Sequence, residues 1–194
     1  SIINNNGTIY SVIHLCIIRL GYKPNRRLNM VKKNNLRKKD KYYKKKALID
    51  KTMNSFLRKS KGILYGSRAV NYYTPSHLDV IPKDYDIFSK TPKKSAHKVE
   101  KKLDKKFKGD YFYTKKGVYP RTWKVKSNVT DRTVVDFTKP TEKIPFNKRQ
   151  GIRYAKLAYL KRKYYEILRD KTQEFRWQKT KEALQRIKIY ERLY

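Results

Sequence analysis

Cysteine and long apolar runs are scarce in this sequence, and each shortage excludes a class of protein. The single cysteine, Cys16, rules out an intramolecular disulfide framework, and 3 scattered histidines cannot assemble a structural zinc site. The longest apolar stretch, residues 9–20, is interrupted by polar side chains such as Arg19 and falls short of the ~18 residues that span a bilayer. We therefore expect a protein of a reducing compartment, cytoplasmic or viral, that is neither secreted nor inserted in a membrane.

Acidic residues are especially few in comparison with basic residues. Only 16 Asp and Glu stand against 51 Lys and Arg, so the formal net charge of the 194 residues is +35 at pH 7. Such an excess repels itself and attracts polyanions. A hydrophobic fraction of 38%, with 17 tyrosines, still supplies enough apolar material for a packed core. The composition therefore predicts a folded protein with a nucleic-acid partner.

Local patterns divide the chain into three predicted parts. Residues 1–46 form a leader and basic arm, and the Lys- and Arg-rich run 26–46 is either a solvated charge run or an arm that lies along phosphates. Residues 47–145 alternate between helix and strand patterns, and residues 146–194 return to helical spacing. The expected fold class is α+β, a small mixed sheet flanked by helices, with a C-terminal helical segment.

In the middle part, the spacing of apolar residues separates helices from strands. They recur at i, i+4, i+7 and i+8 from Ile49 and at i, i+3, i+7 and i+11 from Ala96, as in amphipathic helices. Short runs rich in β-branched and aromatic residues indicate strands. The predicted order is helix 47–60, strand 63–65, helix 68–73, strand 84–88, helix 93–108 and strands near 111–113, 122–125 and 133–137.

Three acidic residues fall in predicted strands of this cationic chain. Alternation puts Asp84 and Asp86 on the same face of one strand. Asp136 lies in the otherwise apolar run 134–137, where an ionised carboxylate is unfavourable unless a cation compensates it. Magnesium binds carboxylate oxygens, and two such ions can clamp the oxygens of an in-line displacement. The three aspartates are therefore candidate metal ligands and catalytic residues.

A Gly66-Ser67 turn separates a predicted strand from a predicted helix. A glycine here would allow backbone N–H groups and the Ser67 hydroxyl to approach a triphosphate, with the positive end of the helix behind them. Arg68 and Lys83 are nearby candidates for further phosphate contacts. Together with the aspartates, the turn predicts a site for a metal-bound nucleotide.

The order of these motifs resembles the nucleotidyltransferases of the DNA polymerase β type. The match is Tyr65-Gly66-Ser67, then Asp84-Tyr85-Asp86-Ile87, then Val135-Asp136, within residues 47–140. Within that superfamily the chain is most similar to the catalytic subunits of poly(A) polymerases of large DNA viruses, which are considerably longer. That similarity lies in Tyr65-Gly66-Ser67-Arg68-Ala69-Val70-Asn71, in Asp84-Tyr85-Asp86-Ile87-Phe88-Ser89 and in Phe175-Arg176-Trp177-Gln178-Lys179.

The resemblance implies a role for each matched residue. Asp84 and Asp86 would bridge two metal ions, Mg²⁺ or Mn²⁺, while Asp136 would bind the catalytic ion and help deprotonate the attacking hydroxyl. Gly66 and Ser67 would contact the β- and γ-phosphates of a nucleoside triphosphate, with ATP as the expected substrate. The expected acceptor is an RNA 3′ end rather than DNA, gripped by the chain's own basic surface or by a protein partner subunit.

Other functions also fit the sequence. A non-enzymatic basic nucleic-acid-binding or packaging protein could keep the fold while its cations coat phosphates; binding of magnesium and nucleotide would distinguish the enzyme from it. A small nucleotidyltransferase acting on antibiotics or proteins would share the motifs but would not need a charge of +35. Outside the motifs, Tyr111, Tyr113 and Trp123 suit either base stacking or cross-strand packing.

Overall fold

A computed structural model describes residues 2–3, 9–10 and 36–193, and the chain divides into two units, residues 1–40 and 41–194. In the first unit, β1 (Ile2–Ile3) pairs antiparallel with β2 (Ile9–Tyr10). Most of the predicted leader, Cys16 and the start of the basic arm lie outside the described residues. Residues 36–44 of that arm are helical.

The second unit is built on a mixed seven-stranded sheet. Its strands are β3 (Ile63–Tyr65), β4 (Tyr85–Phe88), β5 (Phe112–Lys116), β6 (Thr122–Ser127), β7 (Thr133–Thr138), β8 (Phe146–Arg149) and β9 (Ile152–Ala155). They lie in the order β5-β6-β7-β4-β3-β9-β8; β4 runs parallel to β7 and β3 parallel to β9, and the other pairs are antiparallel. The predicted α+β class with a mixed sheet is confirmed.

Helices flank this sheet. They are α1 (Ala47–Lys59), α2 (Gly66–Tyr73), α3 (Pro92–Phe107), α4 (Leu157–Arg169) and α5 (Trp177–Leu193), with short 3₁₀ helices at Ser76–Leu78 and Lys171–Arg176. The first turn of α3 contains Pro92, where a missing N–H removes no helical bond. Its end is closed by Lys108, whose left-handed backbone lets its N–H donate to the last turn. Within residues 36–193, the helices are all too short or too polar to cross a bilayer.

One face of the sheet packs against α1 and α3. Ile87 and Phe137 are fully buried there, and the Phe56 ring of α1 meets the Phe137 ring edge-on with centroids 5.7 Å apart. The periodic apolar positions of α3, including Val99 and Leu103, are also fully buried. The residues that predicted these two amphipathic helices therefore form the core.

The other face packs against α4. Phe88 stacks on Tyr65 with ring centroids 4.0 Å apart, and the Tyr159 ring of α4 meets Phe88 at 6.2 Å. Helix α2 contacts α5 through Arg186, whose guanidinium donates to the Asn71 side chain at 2.6 Å. This face therefore has an aromatic core at one end and leaves polar strand positions beside it.

Strands occupy residues 146–155, where the spacing had indicated only helix. Gln150 and Gly151 both have positive φ, as a tight two-residue hairpin turn requires, and they join β8 to β9. Strand β9 pairs with β3, 90 residues earlier in the chain, with Ile63 opposite Arg153. Segments of four residues are too short to show a period, and this pairing is decided by tertiary contact.

Candidate functional site

A row of polar side chains crosses the sheet where β4 and β7 run parallel. Asp86 lies directly opposite Asp136, and the row continues to Tyr65 on β3 and Lys124 on β6. Directly paired residues project to the same face of a sheet. The row therefore lies on the face away from α1 and α3, and two of the three predicted aspartates are neighbours there.

Asp84, just before β4, acts on both of these carboxylates. The pKa of Asp86 is raised to about 7, mainly by burial and then by the negative charges of Asp84 and Asp136. Burial is also the main cause of the raised pKa of Asp136, to which Asp84 adds and which Lys124 opposes. The three predicted aspartates thus form one electrostatic group in a chain that is otherwise strongly positive.

The two carboxylate oxygens of Asp136 have different surroundings. Lys124 Nζ lies 2.9 Å from Oδ2, and both side chains are less than one-third exposed. Oδ1 is buried and meets no hydrogen-bond donor in the described part of the chain. A buried anionic oxygen without a donor is unfavourable, so this atom is suited to a cation or to a hydroxyl from outside the chain.

These carboxylates fit a divalent cation in their chemistry, because hard cations prefer oxygen ligands. However, no three His, Cys, Asp or Glu side chains of residues 36–193 converge as a metal ion requires. The ion pair with Lys124 turns one oxygen of Asp136 toward β6 instead. Ligation of metal by Asp84, Asp86 and Asp136 therefore stays a prediction.

Gly66 lies against the Asp86 carboxyl group. It has a φ of +68°, and a Cβ built there would lie 3.0 Å from Asp86 Cγ and nearer still to its Oδ2. Gly66 both ends the extended backbone of β3 and begins α2, and partly exposed Ser67 follows it. The predicted turn therefore adjoins the carboxylates, with the positive end of α2 beside them.

Arg68 and Lys83, the other predicted phosphate contacts, have different environments. Arg68 donates through Nε to the Asp84 carbonyl at 3.0 Å and through Nη2 to Asp50 at 3.1 Å, and it stacks on the Tyr85 ring at 3.6 Å. Its guanidinium therefore supports the start of β4. Lys83 is exposed and forms no ion pair with an acid of residues 36–193. A phosphate contact by either residue stays a prediction.

Arg176 and Lys179 lie near the candidate site but are not among the residues predicted for it. The positive charges of both lower the pKa of Asp86, which places them near its carboxyl group. Arg176 also acts on partly buried Tyr65 and Tyr164, whose pKa values are raised mainly by loss of solvent around the phenol groups. Both cations are exposed at the junction of the last 3₁₀ helix with α5. Their only sequence signal was the Phe175-to-Lys179 similarity, because single cations do not stand out in this chain.

No protein-family model matches the chain, and no curated protein sequence does so either. Among solved structures, the Megavirus polyadenylate synthase matches 92% of this chain with a TM-score of 0.64 and 18% sequence identity. The two share a fold. This confirms, for the fold, the predicted resemblance to poly(A) polymerases of large DNA viruses. The matched part is 38% of the length of that synthase.

A second solved structure, JHP933 from Helicobacter pylori, matches 64% of this chain and 57% of its own. Its sequence identity is 15% and its TM-score is 0.41, so the likeness carries no argument.

Proposed function

We propose that this chain is a metal-dependent nucleotidyltransferase that transfers a nucleotide from a nucleoside triphosphate to a hydroxyl group. The observation that carries the proposal is the pairing of Asp86 with Asp136 across parallel strands, with Gly66 pressed against Asp86. The fold shared with a viral polyadenylate synthase supports it. A bound divalent cation would neutralise these carboxylates and the phosphates and polarise the reacting phosphoryl group.

The nucleotide would lie between the Gly66-Ser67 turn and the cations of the C-terminal helix. The backbone N–H groups at the start of α2 and the Ser67 hydroxyl would donate to the β- and γ-phosphates. Arg176 and Lys179, which already act electrostatically on Asp86, would contact the triphosphate from the opposite side. These residues would bind and orient the substrate, which is the main protein contribution to such transfers.

The acceptor hydroxyl would hydrogen-bond to Asp136. Its Oδ1 lacks a donor among the described residues and can accept the hydroxyl proton as the oxygen attacks the α-phosphorus. A bond forms between that oxygen and the α-phosphorus, the bond to the bridging oxygen of the β-phosphate breaks, and pyrophosphate leaves with the electron pair. The proton passes from Asp136 to solvent.

We further propose an RNA 3′ end as the acceptor and ATP as the nucleotide. The net charge of +35 favours a polyanionic acceptor over a small molecule or a protein. The fold shared with a polyadenylate synthase favours adenylate transfer among the possible nucleotides.

A non-enzymatic nucleic-acid-binding function is the second candidate. The ion pair of Lys124 with Asp136 favours it, because a lysine then neutralises the carboxylate that an enzyme would use for metal. In that case the chain would bind RNA but neither magnesium nor ATP.

The test is incorporation of labelled AMP from ATP into an RNA primer with and without Mg²⁺. We expect activity with Mg²⁺ that is lost in Asp86→Asn and Asp136→Asn. The matched control is Asp110→Asn, because Asp110 is an exposed aspartate that interacts with Asn128 and lies outside the site. Equal activity in Asp86→Asn and Asp110→Asn would reject the site.

Calorimetric titration with ATP in the presence of Mg²⁺ provides a readout that does not depend on turnover. The unsubstituted chain should bind the nucleotide only with the metal, and Asp86→Asn should bind it at least tenfold more weakly. Absence of binding by the unsubstituted chain, together with retained affinity for RNA, would instead support the non-enzymatic function.

A further inference from the structure

An open cleft of about 510 Å³ lies on the sheet face that packs against α3. Its wall includes Trp123 of β6, which lies opposite Phe137 in the register and therefore projects to the face away from Asp86 and Asp136. The cleft is thus separated from the carboxylates by the sheet itself. Its cationic lining is Lys90, Lys93, Lys94, Arg121 and Lys139.

The charges of this cleft are uncompensated. The lining contains no acidic residue, and its lysines and arginine form no ion pair with an acid of residues 36–193. Elsewhere on the sheet the pattern differs, since Lys124 and Lys126 of β6 are each within 2.9 Å of an aspartate oxygen. Five like charges around one cleft repel one another and favour an anionic ligand.

The cationic residues of the cleft lie on backbone segments that are held together by hydrogen bonding. Arg121 has a left-handed backbone with φ 65°, and its carbonyl accepts a hydrogen bond of 3.0 Å from the Lys139 N–H. This bond joins the start of β6 to the end of β7. Lys90 follows β4, and Lys93 and Lys94 begin α3, so separate elements converge here.

Trp123 adds an aromatic surface to the cleft. Its ring is partly buried against the core, Lys93 Nζ lies 5.2 Å from its centroid, and the His97 ring lies 5.9 Å away. A partly exposed indole among cations is the combination that binds single-stranded nucleic acid, because bases stack on the ring while phosphates meet the cations. An acidic peptide would use the charges but not the ring.

A stripe of exposed lysines continues from the cleft along α3. Lys94, Lys98, Lys101 and Lys105 occupy positions i, i+4, i+7 and i+11, which lie along one side of the helix. The stripe is about 16 Å long at 1.5 Å per residue. The acidic residues of the helix, Glu100 and Asp104, lie off this line and bond to His97 and to backbone N–H groups.

We propose that this cleft and the α3 lysine stripe bind a single strand of nucleic acid, with a base stacked on Trp123 and phosphates along the lysines. This site lies on the sheet face opposite to the candidate active site and would hold the strand away from the reacting end. It does not rest on the proposed function, because binding here needs neither metal nor nucleotide.

The experiment measures binding of a fluorescent 20-nucleotide oligo(U) RNA to the full chain by anisotropy, without Mg²⁺ or ATP. The cleft variant is Lys93→Gln/Lys94→Gln/Lys139→Gln. The control is Lys148→Gln/Lys156→Gln/Lys188→Gln, which removes three exposed lysines outside the cleft and stripe. We expect the cleft variant to bind at least tenfold more weakly and to lower the salt slope by about 2, since each phosphate contact contributes about 0.7. The control should change affinity less than threefold.

Trp123 supplies the second readout. In Trp177→Phe, Trp123 is the single tryptophan of the chain, and oligo(U) should quench its fluorescence when tryptophan is excited selectively. Trp123→Phe, which keeps an aromatic ring, should bind more tightly than Trp123→Leu by about tenfold. Equal losses in the cleft and control triples, or absence of quenching, would overturn the proposal.

Polyglutamate provides a test for an acidic protein ligand. It should compete at least a hundredfold less well than unlabelled oligo(U) at equal charge; equal competition would overturn the proposal in favour of that ligand. Binding of ATP with Mg²⁺ should be unchanged in the cleft variant, so failure of the active-site proposal and failure of this one give different results.

Discussion

The two faces of the central sheet carry different groups of charges although they are formed by the same strands. On β6, Lys124 projects to one face and contacts Asp136, whereas its neighbour Trp123 projects to the other and lines a cleft without acids. The first face gathers carboxylates that repel one another, and the second gathers cations that do so. A bound cation would relieve the repulsion between the carboxylates, and a bound anion would relieve the repulsion between the cations of the cleft.

This difference indicates that the two faces suit different ligands. Burial, and then the charges of the neighbouring carboxylates, raise the pKa of Asp86, and such a carboxylate group suits a metal-bound nucleotide. The cations beside Trp123 suit a polyanionic strand. Because strand alternation separates the two, substitutions on one face should affect one ligand and spare the other, provided that the fold is retained.

The largest expected effect is on catalysis. Asp86→Asn should lower nucleotide transfer by roughly 10³-fold or more, because it removes a charged group at the reacting centre. The cleft variant Lys93→Gln/Lys94→Gln/Lys139→Gln should retain transfer at saturating RNA. Rates at saturating ATP and RNA measure both. A loss of the maximal rate in the cleft variant comparable to that of Asp86→Asn would show that the faces do not act separately.

The next effect concerns the close approach of Gly66 to Asp86. Gly66→Ala should destabilise the fold by about 1–2 kcal/mol through its left-handed backbone, and by about 1–3 kcal/mol more because the new methyl group meets the carboxylate. Urea unfolding measures the total, and titration with ATP and Mg²⁺ should show weakened binding.

Gly151→Ala is the control for Gly66→Ala. Gly151 has a φ of +80°, but a Cβ there would lie 3.4 Å from its nearest neighbour, the flexible Arg58 side chain. It therefore imposes the backbone strain without a collision at the carboxylates. Equal unfolding free energies and equal nucleotide binding in the two variants would mean that the approach of Gly66 to Asp86 has no functional role.

Much of the fold could be predicted from periodicity, and the exceptions have physical causes. Helices α1 and α3 were predicted because their apolar stripes form the core. Strand β4 was recognisable from its alternation, and the run containing Asp136 from its β-branched and aromatic residues. Strands β8 and β9 were missed because short segments carry no period and β9 is stabilised by its pairing with β3.

The sequence singles out the acidic residues of the candidate site but not the basic residues beside them. Asp86 and Asp136 stand out because acidic residues are rare in the chain. No single basic residue stands out among the 51 of the sequence, so nothing distinguishes Lys124, Arg176 or Lys179 from the rest. The contact of Lys124 with Asp136 depends on the register of β6 with β7, which local sequence does not specify.

Asp86 should make the fold less stable at high pH. Its pKa is raised from the usual range near 4 to about 7 in the folded chain, so the fold favours the protonated acid. The stability that the fold gains from the protonated Asp86 carboxyl group is complete below pH 4 and is lost as the pH rises toward and through 7. Asp86→Asn should therefore be more stable than the unsubstituted chain by on the order of 2 kcal/mol at pH 8, and by less at pH 5.

Urea unfolding at both pH values measures this difference. Asp110→Asn serves as the control for the general cost of removing a negative charge from a cationic chain, and it should be neutral or slightly destabilising at either pH. If Asp86→Asn behaved like Asp110→Asn, the Asp86 carboxyl group would not be buried beside other carboxylates in solution.

The smallest expected effect concerns the ion pair that neutralises Asp136. Lys124→Gln should destabilise the fold by about 1 kcal/mol at pH 7, because the partly buried Asp136 loses its partner. Lys126→Gln is the control, since Lys126 pairs at 2.7 Å with Asp131, which is 76% exposed, and should cost less.

The response to magnesium tests the role of the ion pair between Lys124 and Asp136. If Lys124 occupies a position that a cation can take, millimolar Mg²⁺ should restore stability to Lys124→Gln and leave Lys126→Gln unchanged, because only Asp136 belongs to the carboxylate group. Thermal unfolding with Mg²⁺ and with equal ionic strength of NaCl separates binding from screening. Identical behaviour in the two salts would identify Lys124 as the permanent partner of Asp136. It would favour the non-enzymatic function, because this face of the sheet would then bind no metal ion.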